Sequence, residues 1–270
     1  MSNTRRILFF GDVVGTPGID GLKSALPQLR DELKVDFVIV NGENSAGGRG
    51  VTEKSATKIF NLGVDAITNG NHTYSHRDVY PYLDSEPRIV RPANFPIGNP
   101  GRGSTVVERD GVRLGVINLS GQFALHAARS PLVEIEALLP KLKAKCDLIL
   151  VDFHAEATSE KVALGWFLDG RVCAVVGTHT HVPTADARVL PAQTAYITDV
   201  GMTGSRESVI GVKREQAIER FLTMMPVRFE TATQDVWINA VLIEACVETG
   251  LAKSIEQILR RVDQLRAAQS

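Results

Sequence analysis

Val175-Val176-Gly177-Thr178-His179-Thr180-His181 is an apolar run that stops in a glycine and two histidines one residue apart. Side chains at i and i+2 of an extended segment share a face, so His179 and His181 are expected to present two imidazoles to one place. A buried strand ending this way suggests a metal site at the carboxyl edge of a parallel sheet, where open α/β proteins bind ligands. Two ordinary loop histidines would read the same way, so the other strand ends decide.

Apolar runs at 6–10, 35–40, 65–68 and 147–151 carry similar punctuation. They stop in Gly11-Asp12, Asn41-Gly42-Glu43-Asn44, Asn69-Gly70-Asn71-His72 and Asp152-Phe153-His154. Helical patterns over 53–62, 132–143 and 159–168 supply crossovers between them. Pro27 is expected to end or kink a helix reaching Leu33. Asp110-Gly111 predicts a tight hairpin between strands at 105–108 and 112–118. Another strand is expected at 194–200 and a late β pair at 227–230 and 236–244. A closing helix would carry Ile255, Ile258, Leu259, Val262 and Leu265 as one apolar stripe. About nine or ten strands are many for one sheet, which favours an α/β fold of two packed mixed sheets flanked by helices.

With 270 residues the chain can bury a substantial core, and a single domain over 1–270 is the simplest organisation. A net charge of -1 with mixed signs gives no basic field for long nucleic acids, so DNA is not an expected partner. No stretch approaches the roughly 20 apolar residues of a membrane helix, and the apolar run after Arg6 is too short for a signal-peptide core. Cys146, Cys173 and Cys246 form no Cys-x-x-Cys pair, so a disulfide frame is not expected and a reducing cytoplasm fits.

Five strand ends thus carry Asp12, Glu43 with Asn44, Asn71 with His72, His154, and His179 with His181, and parallel crossovers would bring them to one sheet edge. Each has an ordinary reading alone: Asp12 as a turn or helix-start residue, the asparagines as turn residues, Glu43 as a solvated carboxylate, His154 as a core histidine. Together they point to metal. Imidazole, carboxylate and amide oxygen without thiolate suit iron, manganese or zinc. Asp12, Glu43, Asn44, Asn71, His154, His179 and His181 are more ligands than one tetrahedral ion uses, so two ions are expected, with a carboxylate such as Glu43 able to bridge them. Two divalent ions against two carboxylates leave an electrophilic centre suited to a phosphate. His76 lies outside this pattern, and His126 is a lesser candidate for reaching substrate.

These segments, with Arg91-Pro92-Ala93-Asn94 and Thr198-Asp199-Val200-Gly201-Met202, resemble the calcineurin-like metallophosphoesterases. The closer similarity is to the YmdB-like branch of bacterial 2′,3′-cyclic-nucleotide 2′-phosphodiesterases. Val14, Glu43 and Thr73 depart from the general superfamily pattern in the way that branch does. The resemblance implies a four-layer αββα sandwich and two divalent or mixed-valence ions, iron first with manganese or zinc as alternatives. It implies Asp12, Glu43, Asn44 and His181 on one ion and Glu43, Asn71, His154 and His179 on the other. A bridging hydroxide would open a 2′,3′-cyclic nucleotide to the 3′-nucleotide, and His72 would act as general acid.

The loops at 47–50, 122–126 and 202–206 could admit the base. A metal-dependent phosphomonoesterase would use the same residues. A regulatory phosphodiester- or RNA-binding protein without turnover is the reading from another class, although clustered basic and aromatic residues are lacking. A barrel-type amidohydrolase usually carries His-x-His after its first strand, and here the pair comes late. A small phosphodiester is the expected partner, and the last apolar stripe leaves a homo-oligomer open.

Overall fold

The computed structural model describes residues 3–125 and 129–267, so His126 lies outside the described residues. The chain opens with β1 (Thr4–Phe10), α1 (Gly15–Leu33), β2 (Phe37–Asn41), α2 (Glu53–Phe60), β3 (Ala66–Thr68) and the short α3 (Tyr80–Ser85). A hairpin of β4 (Ser104–Arg109) and β5 (Val112–Ser120) leads into α4 (Pro131–Lys143), β6 (Leu148–His154), α5 (Thr158–Leu168) and β7 (Ala174–Thr178). Three short strands follow, β8 (Arg188–Val189), β9 (Ala195–Ile197) and β10 (Gly204–Ser205), and then α6 (Arg214–Thr223), β11 (Val236–Cys246), β12 (Leu251–Arg261) and α7 (Val262–Ala267).

Two six-stranded mixed sheets result. In the first, β1, β2 and β3 run parallel, while β11 lies antiparallel between β1 and β12 and pairs at its start with β10. The second has the order β4-β5-β6-β7-β9-β8, with β5, β6, β7 and β9 parallel. Period-two alternation explains the layers. Ile7, Phe9, Phe37 and Ile39 point into the core between the sheets, where they meet Leu114, Val116, Leu148 and Leu150. Leu8, Phe10, Val38 and Val40 point the other way, beneath Leu22, Leu26 and Leu29 of α1. Val151, Phe153 and Val175 likewise pack with Leu139 of α4 and Leu164 of α5. Each such side chain contributes about 1.5–3 kcal/mol on burial. The layering is the αββα sandwich expected from sequence.

Asp110 and Gly111 adopt φ of 50° and 75°, so the predicted hairpin turn forms as read. Other expectations need correction. Pro27 sits inside α1 without ending it, because the buried leucine face on either side holds the helix on the sheet. The closing helix is largely a strand: 251–261 pair with β11 along its whole length, and only 262–267 are helical. Its apolar residues are three apart because both faces of this strand are covered. Ile258 packs with the helix-side core and Ile255 with the inter-sheet core. A bulge opposite Glu244 and Ala245 disturbs the alternation further. Residues 227–230 are not a strand; β11 takes β12 as its hairpin partner, and Thr231 makes one bridge to Val212.

Candidate metal centre

The candidate side chains stand at the carboxyl ends of five strands, drawn from both sheets instead of one. Asp12, Glu43, Asn44, Asn71 and His72 follow β1, β2 and β3, while His154 ends β6 and His179 and His181 follow β7. The sheets pack face to face, so these two edges adjoin.

One group is tight. His154 Nε2 lies 2.9 Å from Glu43 Oε1, 3.0 Å from Asn71 Oδ1 and 3.0 Å from His179 Nδ1. The ring atoms facing away fix the protonation. His154 Nδ1–H donates to Thr178 Oγ1 at 2.9 Å, whose own hydroxyl donates to Asp152 at 2.7 Å. His179 Nε2 lies 2.9 Å from Glu156 Oε2. Their remaining ring nitrogens, His154 Nε2 and His179 Nδ1, face each other beside the Glu43 carboxylate and the Asn71 amide oxygen, an arrangement that calls for a shared proton or a cation between them. Ligand atoms of Glu43, His154 and His179 all lie within 4.8 Å of one another.

The second group is more open. Asp12 Oδ1 is 3.9 Å from His181 Nε2 and 3.9 Å from His154 Nδ1. His181 Nδ1–H donates to the Ile210 carbonyl at 2.8 Å, which again leaves Nε2 as the lone-pair atom. Asp12 Oδ1 and Asn44 Oδ1 are buried without a hydrogen-bond partner. Such a group costs about 1–3 kcal/mol, and an ion would relieve both. Gly70 closes the fit: a Cβ there would collide with the His154 imidazole and the Glu43 carboxylate.

Without a cation, the cluster holds a proton. Burial alone would lower His154, but Glu43, with Asp12 and Asp152 behind it, raises it to about 9. Burial opposes ionisation of Glu43, yet His154 and His72 outweigh it and hold the carboxyl well below its ordinary value. Burial raises Asp12 against the pull of His181 and His154. Burial, reinforced by charge on His154, lowers His179 to about 3.

His179 and His181 reach the centre by a route the sequence did not suggest. The strand ends at Thr178, and the two histidines take φ of 103° and 66° instead of continuing extended. Left-handed backbone at non-glycine residues costs about 1–3 kcal/mol each. Asp199 holds the turn: its Oδ2 accepts from Thr180 N at 3.1 Å and Thr180 Oγ1 at 2.8 Å, and pairs with buried Lys161 at 2.7 Å.

Sequence reasoning missed this supporting layer. Asp152 is fully buried, and burial raises it to about 6 despite His154 and the hydrogen bonds it accepts. Thr68 Oγ1, Thr178 Oγ1 and Asn41 Nδ2 donate to it, and Asn41 Oδ1 accepts from the Glu43 backbone. Asp152 thereby ties the ends of four strands behind the candidate ligands. The signal was available, since Asp152 and His154 share a face of one strand and a buried carboxylate requires partners. His72 is 26% exposed and faces the centre, its backbone N–H donating to Glu43 Oε2 at 3.0 Å. His76 instead contacts the Arg49 carbonyl, away from the centre.

A sandwich of two mixed sheets with imidazole, carboxylate and amide groups converging where their carboxyl edges meet defines a calcineurin-type metallophosphoesterase. The YmdB-like protein family matches residues 8–258. The chain belongs to that family. A 2′,3′-cyclic-nucleotide 2′-phosphodiesterase of Bacillus subtilis (strain 168) is 49% identical over 260 residues, spanning 96% of this chain and 98% of the relative. The solved structure of a hypothetical protein from Thermus thermophilus superposes with a TM-score of 0.89 at 42% identity, over 95% of this chain and 99% of that one. A novel phosphatase from Mycoplasma pneumoniae does so at 0.89 and 38%, over 97% and 95%.

Proposed function

We propose that this chain is a metal-dependent phosphodiesterase that opens 2′,3′-cyclic nucleotides at the 2′-oxygen to give 3′-nucleotides. The observation that carries the reading is the convergence of the His154 and His179 lone pairs with the oxygens of Glu43 and Asn71, beside the orphaned oxygens of Asp12 and Asn44. Asp12, Glu43, Asn44 and His181 would hold one ion and Glu43, Asn71, His154 and His179 the other, with Glu43 shared. Two ions held there, iron with manganese or zinc as alternatives, would supply activated water at neutral pH and positive charge against the phosphate oxygens.

The chain's own groups do the rest. The buried donors fix the geometry, so little reorganisation is needed as charge develops. His72 adjoins ligand Asn71, and its backbone is anchored on Glu43. From there its imidazole donates a proton to the departing 2′-oxygen. The protein acts as a single domain in the cytoplasm on a small phosphodiester. Among the described residues no helix is long and apolar enough to cross a membrane.

The test is product identification after incubating metal-loaded protein with 2′,3′-cyclic AMP beside a chelated control. Chelator-sensitive 3′-AMP supports the reading. Exclusive 2′-AMP, or turnover of phosphomonoesters alone, overturns it.

A further inference from the structure

The reaction constrains where the nucleoside lies. This step rests on the diesterase reading above. If the 2′-oxygen leaves with a proton from His72, the base, borne by the carbon next to C2′, lies on the His72 side of the centre, one sugar away.

A cleft of about 470 Å³ opens there. His72, Gly48, Ile210, Val212, Phe229 and Thr231 are among its lining residues. Its size falls within the roughly 300–1,000 Å³ typical of small-molecule sites. A neighbouring cavity of about 480 Å³ reaches the centre at His181 and is lined by Trp237 and Met202, but not by His72. It takes in part of the 202–206 loop that the sequence offered for the base.

The wall carrying Phe229 is built in place. Lys213 N donates to the Glu230 carbonyl and Ala232 N to the Gly211 carbonyl, each at 2.9 Å. The Thr231 methyl sits over Gly15 and Gly48, where a Cβ would press on it. Gly48 belongs to the loop that presents Glu43 and Asn44, and Ile210 on the facing turn accepts the His181 hydrogen bond. Phe229 is nevertheless 50% exposed, with no ring against it among the described residues. Half-exposed phenyl surface on a fixed wall, beside apolar Ile210 and Val212, suits the face of a heterocycle.

We propose that the substrate's nucleobase stacks on Phe229 in this cleft, which makes Phe229 a specificity-determining residue that reads the base's face and tolerates its identity. Stacking of a base on an aromatic side chain is worth enough for roughly a tenfold effect. The experiment compares 2′,3′-cyclic AMP with the 2′,3′-cyclic phosphate of methyl riboside, which lacks a base. In Phe229→Ala the ratio of kcat/KM for the nucleotide over the baseless ester should fall about tenfold, and Phe229→Trp should restore it. An activity-independent arm uses tryptophan emission: 3′-AMP should quench Phe229→Trp protein beyond any change in the parent, which reports through Trp166 and Trp237, and ribose 3-phosphate should not.

An unchanged ratio in Phe229→Ala, or absence of the added quench, overturns the proposal. A ratio that falls in Trp237→Ala instead overturns it in favour of the other cavity. Failure of the metal-loaded parent protein to form 3′-AMP at any substrate concentration refutes the diesterase reading, and the emission arm still decides whether the base stacks on residue 229.

Discussion

Thr178→Val removes one hydroxyl and nearly nothing else. In the parent that oxygen accepts from His154 Nδ1 at 2.9 Å and donates to Asp152 at 2.7 Å, and all three residues are fully buried. No solvent can replace it, so the imidazole N–H and one carboxylate oxygen lose a partner, at about 1–3 kcal/mol apiece. His154 also loses the bond that fixes its tautomer. Loss of such outer contacts typically weakens metal binding about 10–100-fold, or about 1.4–2.8 kcal/mol. The assay is a competitive chelator titration of Mn²⁺, run beside urea denaturation of the metal-free protein to separate lost affinity from lost fold. Thr178→Ser keeps the oxygen and should recover most of the affinity. Parent-like affinity in the valine variant would refute the reasoning that Asp152 and Thr178 position His154.

His72→Asn should lower turnover of 2′,3′-cyclic AMP by about 10²–10⁴-fold with ion content unchanged, as expected for a proton donor; loss of metal in that variant would contradict the role. Metal uptake should strengthen with pH. His154 is raised to about 9 without a cation and must shed its proton to ligate, so apparent affinity should rise about tenfold per unit from pH 7 toward 9 and then level off, read by isothermal titration. The sign for the metal-free fold is opposite: a histidine raised above its unfolded value stabilises below about 6.5, and that contribution fades as pH climbs to 9, visible as a falling Tm. Lys161→Met should cost about 3–5 kcal/mol in denaturant unfolding, since it strands Asp199 in a buried site where both partners are 1% exposed.

Much of the centre was legible because each strand announces its end. Gly11, Gly42 and Gly70 follow apolar strands and Gly177 is the next-to-last residue of β7, so each glycine marks where a run gives way to a loop at a sheet edge. Legibility failed where tertiary context overrides local pattern. Strand β12 is covered on both faces, so Ile255 and Ile258 keep a three-residue spacing that reads as a helix. The wall at 227–231 is irregular, fixed by single bonds to 211–213, and no periodicity announces it. That five strand ends come from two sheets follows from strand order, which periodicity does not carry. The φ of His179 and His181 depends on Asp199 and Lys161, remote in sequence.

The most direct test is to titrate Mn²⁺ into metal-free protein while following both bound ions per chain and 3′-AMP formation. Activity should reach its plateau only at two ions per chain, and Glu43→Gln should fall short on both measures together. Full turnover with one ion bound, or with none, would contradict the shared two-ion centre.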